Sequence, residues 1–249
     1  MSETTATTLT DRLTNTERER RWPNVRPKDA ATLIIIDRSG TEPSVLMGRR
    51  HAGHKFMPGK FVFPGGRIEA GDRKMVAAGM LHDRAEMALL GRVNRPSSGR
   101  NRALALAAIR ETFEETGLML GSKDYGPPEI EIDGPWARFV EHGIFPELDM
   151  LQLVARAITP PRRPKRFDTR FFAVDREAIA HEVPGVVSEE SELVELVWVA
   201  LSQARKLDLP AITTVILDEL EARLAAGFFH ELPVPFYHEQ RGRFVRELL

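Results

Sequence analysis

The run Ile109-Arg110-Glu111-Thr112-Phe113-Glu114-Glu115-Thr116-Gly117-Leu118 closes an Ala/Leu-rich stretch that begins near Arg102. Ala, Leu, Arg and Glu are strong helix formers, and glycine is the residue that ends a helix in a left-handed backbone. The stretch therefore predicts the last turns of a helix stopped by Gly117. At about 100° per residue, Glu111, Glu114 and Glu115 share an arc of about 100°, while Leu106, Ile109 and Phe113 fall opposite. One face can be buried while the carboxylate face looks into a cleft. The arrangement is electrostatically poor, because like charges at these spacings repel by roughly 0.2–0.5 kcal/mol per pair. Acidic groups also crowd the negative end of the helix dipole, where a helix selected for stability alone would carry Lys or Arg. Bound divalent cations would reverse both penalties, since carboxylate oxygens are the ligands that Mg²⁺ and Mn²⁺ prefer.

Arg110, Glu111, Glu114, Glu115, Gly117 and Leu118 resemble the second half of the Nudix box, G-x5-E-x7-R-E-U-x-E-E-x-G-U, where U is a bulky aliphatic residue. Thr112 departs at the first U. Gly65-Gly66-Arg67-Ile68-Glu69-Ala70-Gly71-Asp72 is similar to the opening of the box, with Asp72 in the place of its first Glu. Between Asp72 and Arg110 lie 37 residues where the box has seven. The resemblance thus implies an insertion inside the box, as in a subgroup similar to the peroxisomal-type CoA diphosphatases. The stretches Lys55-Phe56-Met57-Pro58-Gly59-Lys60-Phe61-Val62-Phe63-Pro64-Gly65-Gly66 and Arg166-Phe167-Asp168-Thr169-Arg170-Phe171-Phe172 resemble that subgroup too. The likeness spans about residues 28 to 225.

That likeness implies an α/β fold, a Nudix-type α/β/α sandwich with a mixed sheet and a helical insertion. It also implies Mg²⁺ or Mn²⁺ held by Glu111, Glu114 and Glu115, with the Gly65 carbonyl beside them. Glu114, Glu115, Glu192 and Arg110 are the expected catalytic set. Within it Arg110, at i,i+4 from Glu114, orients that carboxylate. A late carboxylate commonly completes such a site; Glu192 is the first choice, with Glu189 and Glu195 behind it. Gly66, Arg162, Arg163 and Arg166 are the expected substrate contacts. A glycine pair lets backbone approach a phosphate or metal closely, and the cations follow a stiff Pro160-Pro161 linker.

The implied substrate is a small molecule containing a nucleoside diphosphate, with CoA or an acyl-CoA cut to 3′,5′-ADP and a phosphopantetheine as the leading reading. ADP-ribose or NADH is the alternative within the same fold. A third reading is a non-catalytic, nucleotide-sensing domain, although such modules usually lose carboxylates from the box.

Composition narrows the field from outside. The net charge of −1 offers no global case for nucleic-acid or membrane binding. Zero Cys excludes disulfides, thiol catalysis and zinc-thiolate sites. No apolar run reaches 18 residues, and the Thr-, Glu- and Arg-rich start has no signal-like apolar core. A cytoplasmic location is the default.

Along the chain, residues 1–25 read as a flexible arm, 26–227 as the hydrolase domain and 228–249 as a tail compatible with packing on the domain or on a homodimer partner. The apolar, β-branched run Ala30–Asp37 predicts a buried strand paired with Ser44–Arg50. Residues 73–101 predict one or two helices, with six cations (Arg73, Lys74, Arg84, Arg92, Arg95, Arg100) against two acids (Asp83, Glu86). Pro135–Gly143 and Pro210–Ala226 read as helices, and Leu148–Ile158, Phe167–Val174 and Leu193–Ala200 as strands.

Overall fold

A computed structural model describes residues 3–16, 18–53 and 57–249. The centre is β1 (Lys28–Asp37), whose alternation puts Ala31, Leu33 and Ile35 into one core and Ile34 and Ile36 into another. A strand buried on both faces needs an apolar run with little polar interruption, which Ala30–Ile36 supplies. β1 pairs antiparallel with β2 (Ser44–Arg50), with Ile36 opposite Val45. β2 also pairs antiparallel with β3 (Phe61–Val62) at Gly48 and Arg49, and with β9 (Leu193–Ala200) from Ser44 to Arg50. The short β4 (Gly65–Arg67) folds back antiparallel onto the start of β1, Ala31 facing Gly66.

On its other side β1 lies parallel to β7 (Phe167–Asp175), which is antiparallel to β6 (Gln152–Ile158). The sheet is therefore mixed, as expected. Its far edge is a hairpin of β10 (Pro235–Gln240) and β11 (Arg243–Leu248), with β10 parallel to β6. Residues 235–248 thus extend the main sheet instead of forming a separate tail. A two-stranded pair of β5 (Leu118–Leu120) and β8 (Ile179–Glu182) stands apart.

Helices cover both faces. One layer holds α2 (Ala70–Lys74), α3 (Asp83–Leu90), α4 (Ser98–Thr116) and α5 (Pro135–Glu141), packed through Met75, Leu89, Leu106, Ile109 and Trp136. The other holds α1 (Glu3–Asn15), α6 (Leu201–Ala204) and α7 (Ala211–Ala225), packed through Leu9, Leu13, Leu201, Ile216 and Leu220. The result is the α/β/α sandwich. Among the described residues, no helix is long and apolar enough to cross a membrane.

Residues 3–15, expected in a flexible arm, instead form α1, with Leu9 and Leu13 buried. Apolar residues at i and i+4 make one helical face, which the neighbouring polar residues hide in a sequence reading. Thr14 Oγ1 accepts from the Phe244 amide, and Arg12 pairs with Asp218 at 2.7 Å, tying the helix to β11 and α7.

α4 begins at Ser98, earlier than the Ala/Leu run suggested, because Ser97 caps it and its hydroxyl accepts from the Arg100 amide. It stops where expected: Gly117 is left-handed at φ 80°, and its amide donates to the Phe113 carbonyl.

Candidate active site

The last turns of α4 meet β4 at the end of the sheet. Gly65 N–H donates to Glu115 Oε2 at 3.2 Å, and the Arg67 carbonyl accepts from Arg110 Nη2 at 2.8 Å, so the turn is clipped to the helix at both ends. Gly66 between them lies flat against the Glu111 carboxylate. A Cβ at this position would come within 2.1 Å of Glu111 Oε1. With the Glu111 carboxylate in this position the approach leaves no room for a side chain.

Arg110 is almost wholly buried and organises the helix end. Its Nε donates to Asp72 Oδ1 at 2.8 Å, it pairs with Glu111 at 3.1 Å, and Nη1 contacts Glu114. Asp72, fully buried, also accepts from Trp136 Nε1 at 2.9 Å and from the Glu69 amide at 2.7 Å. Every oxygen of that carboxylate is used, so Asp72 anchors Arg110 and is closed to other ligands. Trp136 and Asp72 escape a sequence reading as a pair because 64 positions separate them.

Glu111 and Glu115 line a cavity of about 340 Å³ together with Gly65, Gly66, Glu69 and Glu192. Glu192 comes from the loop before β9, and its carboxylate is held by Arg50 at 2.8 Å. A shift in the β2–β9 register brings Arg50 opposite Leu193, directly beside Glu192. The expected late carboxylate is therefore in the same cavity as two of the helix glutamates. Glu195 pairs with Arg49 instead, at 2.7 Å. Arg50 was missed because nothing in its neighbourhood marks it out before β2 and β9 are paired.

Burial pushes the Glu111 carboxyl up to about 7, with Arg110 pulling it down and Glu114 adding repulsion. Glu115 is raised well above the usual carboxylate range by burial, then by the charges of Glu192 and Glu111. Carboxylates brought together in a half-closed space lack enough positive charge to balance them. Glu114 does not line this cavity. Its side chain is 37% exposed and turned to Arg110, so the three helix glutamates do not form one cluster.

Among the described residues, no three His, Asp or Glu side chains are grouped closely enough to grip an ion as they stand. Arg110 holds one oxygen of Glu111 and one of Glu114. The donor set nevertheless suits a hard cation: acidic oxygens of Glu111, Glu115 and Glu192, with charge repulsion that a cation would relieve.

The three arginines of the Pro160–Arg166 segment lie outside the carboxylate cavity, and Arg163 lines a neighbouring pocket. Arg166 is committed to the Thr159 carbonyl, Asn24 Oδ1 and the Val25 carbonyl, pinning the segment before β1. Arg163 donates to the Glu19 carbonyl at 3.3 Å, and Arg162 is exposed in a left-handed turn at φ 58°. None of the three lines the carboxylate cavity. Lys165 does, from the same linker. Of the Lys55–Gly66 stretch, Lys55 and Phe56 lie outside the described residues, while Met57, Val62 and Phe63 line the cavity.

No family model matches the chain. It is 25% identical over 181 residues to putative nudix hydrolase 7 of Caenorhabditis elegans, across 69% of this chain and 51% of that protein. The chain thus spans about half the length of the curated relative it matches. The crystal structure of a NUDIX hydrolase from Alicyclobacillus acidocaldarius superposes with a TM-score of 0.57 at 26% identity, covering 80% of this chain and 92% of that one.

Proposed function

We infer that the chain is a Nudix-superfamily protein, and on that premise we propose a hydrolase that cleaves the diphosphate linkage of a nucleoside diphosphate joined to a second moiety. The name of the curated relative and the fold of the Alicyclobacillus enzyme support the premise. The observation that carries the activity is the meeting of Glu111, Glu115 and Glu192 around the Gly65–Gly66 turn.

Glu111, Glu115 and Glu192 would hold Mg²⁺ or Mn²⁺. Such a cation, when bound, neutralises diphosphate oxygens and makes a coordinated water easier to deprotonate. The chain's own residues do the rest. Gly66 presents backbone, free of any side chain, to the phosphates. Lys165, also in the lining, supplies positive charge. A carboxylate of the cavity, from the end of α4 or from Glu192, takes the proton of the attacking water, and Arg50 holds Glu192 in place. Arg110 positions Glu111 and Glu114 and does not touch substrate.

Among substrates we favour CoA or an acyl-CoA, on the likeness of the split box to the CoA diphosphatase subgroup. A panel of CoA, octanoyl-CoA, ADP-ribose and NADH with Mg²⁺ or Mn²⁺, read by product identity, tests this. Release of 3′,5′-ADP is the expected result. Cleavage of ADP-ribose with CoA untouched would move the reading to the alternative substrate class.

A further inference from the structure

We propose that a second, apolar pocket beside the carboxylate cavity receives the apolar tail of the substrate's non-nucleotide half, so that the N-terminal helix and the C-terminal hairpin decide which substrates are accepted. That the occupant belongs to a substrate rests on the diphosphatase reading above.

The pocket encloses about 270 Å³. Its walls come from five elements far apart in the chain: Leu13 of α1, Ala157 of β6, Phe171 of β7, Ala211 of α7 and Phe244 of β11. Met57, Thr159, Phe171 and Ile212 line both this pocket and the carboxylate cavity, so the two spaces adjoin. The sequence reading had assigned α1 and β11 to an arm and a tail outside the domain. The chain nevertheless secures both, through the Thr14–Phe244 hydrogen bond and through Arg20, which pairs with Glu239 of β10 at 2.9 Å.

The polar groups at this pocket also suit one kind of guest. Lys60 is neutralised by Asp208 at 2.6 Å, and Arg163 donates to the Glu19 carbonyl. Arg18 stacks its guanidinium over the Phe244 ring at 4.9 Å, and its buried Nη1 has no hydrogen-bond partner. A mostly apolar chamber with a buried, unpartnered guanidinium nitrogen at its edge fits a hydrocarbon chain bearing a carbonyl, as in an amide or thioester. A purely polar second half, such as a ribose, would leave those apolar walls uncovered.

The test uses the full chain and fills the pocket from opposite walls with Ala211→Trp and Thr16→Trp, keeping variants whose melting temperature matches the parent. With Mg²⁺, kcat/KM for octanoyl-CoA should exceed that for CoA by about tenfold or more, as buried methylenes add transition-state binding. The filled variants should bring the ratio of kcat/KM for octanoyl-CoA to that for CoA down to within about twofold of one. An octanoyl preference that survives filling overturns the proposal. If neither CoA compound is cleaved, the substrate reading fails, and the pocket is judged by direct binding of cis-parinaric acid. Fluorescence enhancement in the parent that is lost on filling supports an apolar-chain site; absence of enhancement in the parent, or equal enhancement in the variants, refutes it.

Discussion

Arg110 Nε donates to Asp72 Oδ1 at 2.8 Å although 38 positions separate them, and both side chains are buried. This contact joins the two displaced halves of the sequence box. It brings the glycine turn before α2 onto the end of α4, and the carboxylate cavity forms where they meet.

Breaking that contact should cost stability before it costs chemistry. Arg110→Met leaves Asp72 charged and buried, with Trp136 Nε1 and the Glu69 amide as its remaining donors. Removing one partner of a buried pair typically costs about 3–5 kcal/mol. Urea denaturation should show an unfolding free energy lowered by that amount. A loss below about 1 kcal/mol would mean that water reaches Asp72 and that the joint is loose.

The helix glutamates should separate by position. Glu115→Gln removes a cavity-lining carboxylate that is 7% exposed, and should lower kcat by about 10²-fold or more. Glu114→Gln removes a group turned to Arg110 and should cost less than Glu115→Gln. Steady-state kinetics on both variants at saturating Mg²⁺ make the comparison. The reverse order would show that Arg110 releases Glu114 into the site during turnover.

How much of this was legible in the chain depends on the range of each interaction. The central strand, the helix stop at Gly117 and the crowding of Glu111 and Glu115 are local patterns, readable over a few residues. Glu192 could be guessed by type, but its partner Arg50 needed the β2–β9 register shift to become visible. Arg166 carried the right charge in the right loop, yet Asn24 and Val25 claim it. Leu9, Leu13 and Phe244 looked peripheral because what buries them is a contact between opposite ends of the chain.

Stability should depend on pH in a direction set by the cavity. The Glu111 carboxyl titrates near 7 in the folded chain, against 4.5 ordinarily, with burial as the main cause. Below 4.5 it is protonated in both states and costs nothing. As pH rises from 4.5 to 7 the unfolded chain releases its proton first, and stability falls by up to about 3 kcal/mol. A cation between the carboxylates would remove that loss. Melting temperature in chelator should therefore fall from pH 5 to pH 7, and Mg²⁺ should raise it at pH 8 far more than at pH 5. An equal Mg²⁺ effect at both values would place the ion away from these groups.

The C-terminal hairpin should prove integral to the domain, because its attachment is a buried charge cluster. Glu219 of α7 is 6% exposed, accepts from the Tyr237 hydroxyl of β10, and pairs with Arg246 of β11 at 2.7 Å. Burial of Tyr237, and after it the Glu219 charge, push the phenol well above its usual range. Glu219→Ala strips both partners at once and leaves the Arg246 guanidinium without its carboxylate, so the loss should reach about 3–5 kcal/mol. Tyr237→Phe keeps the Glu219–Arg246 pair and forfeits one hydrogen bond, a loss of about 1–2 kcal/mol. Were the hairpin a detachable tail, both substitutions would leave the global unfolding midpoint unchanged and only speed amide exchange in residues 235–248. Denaturant melts of the two variants, run beside hydrogen exchange on the parent, distinguish these outcomes, and we expect the melts to shift in the order Glu219→Ala well beyond Tyr237→Phe.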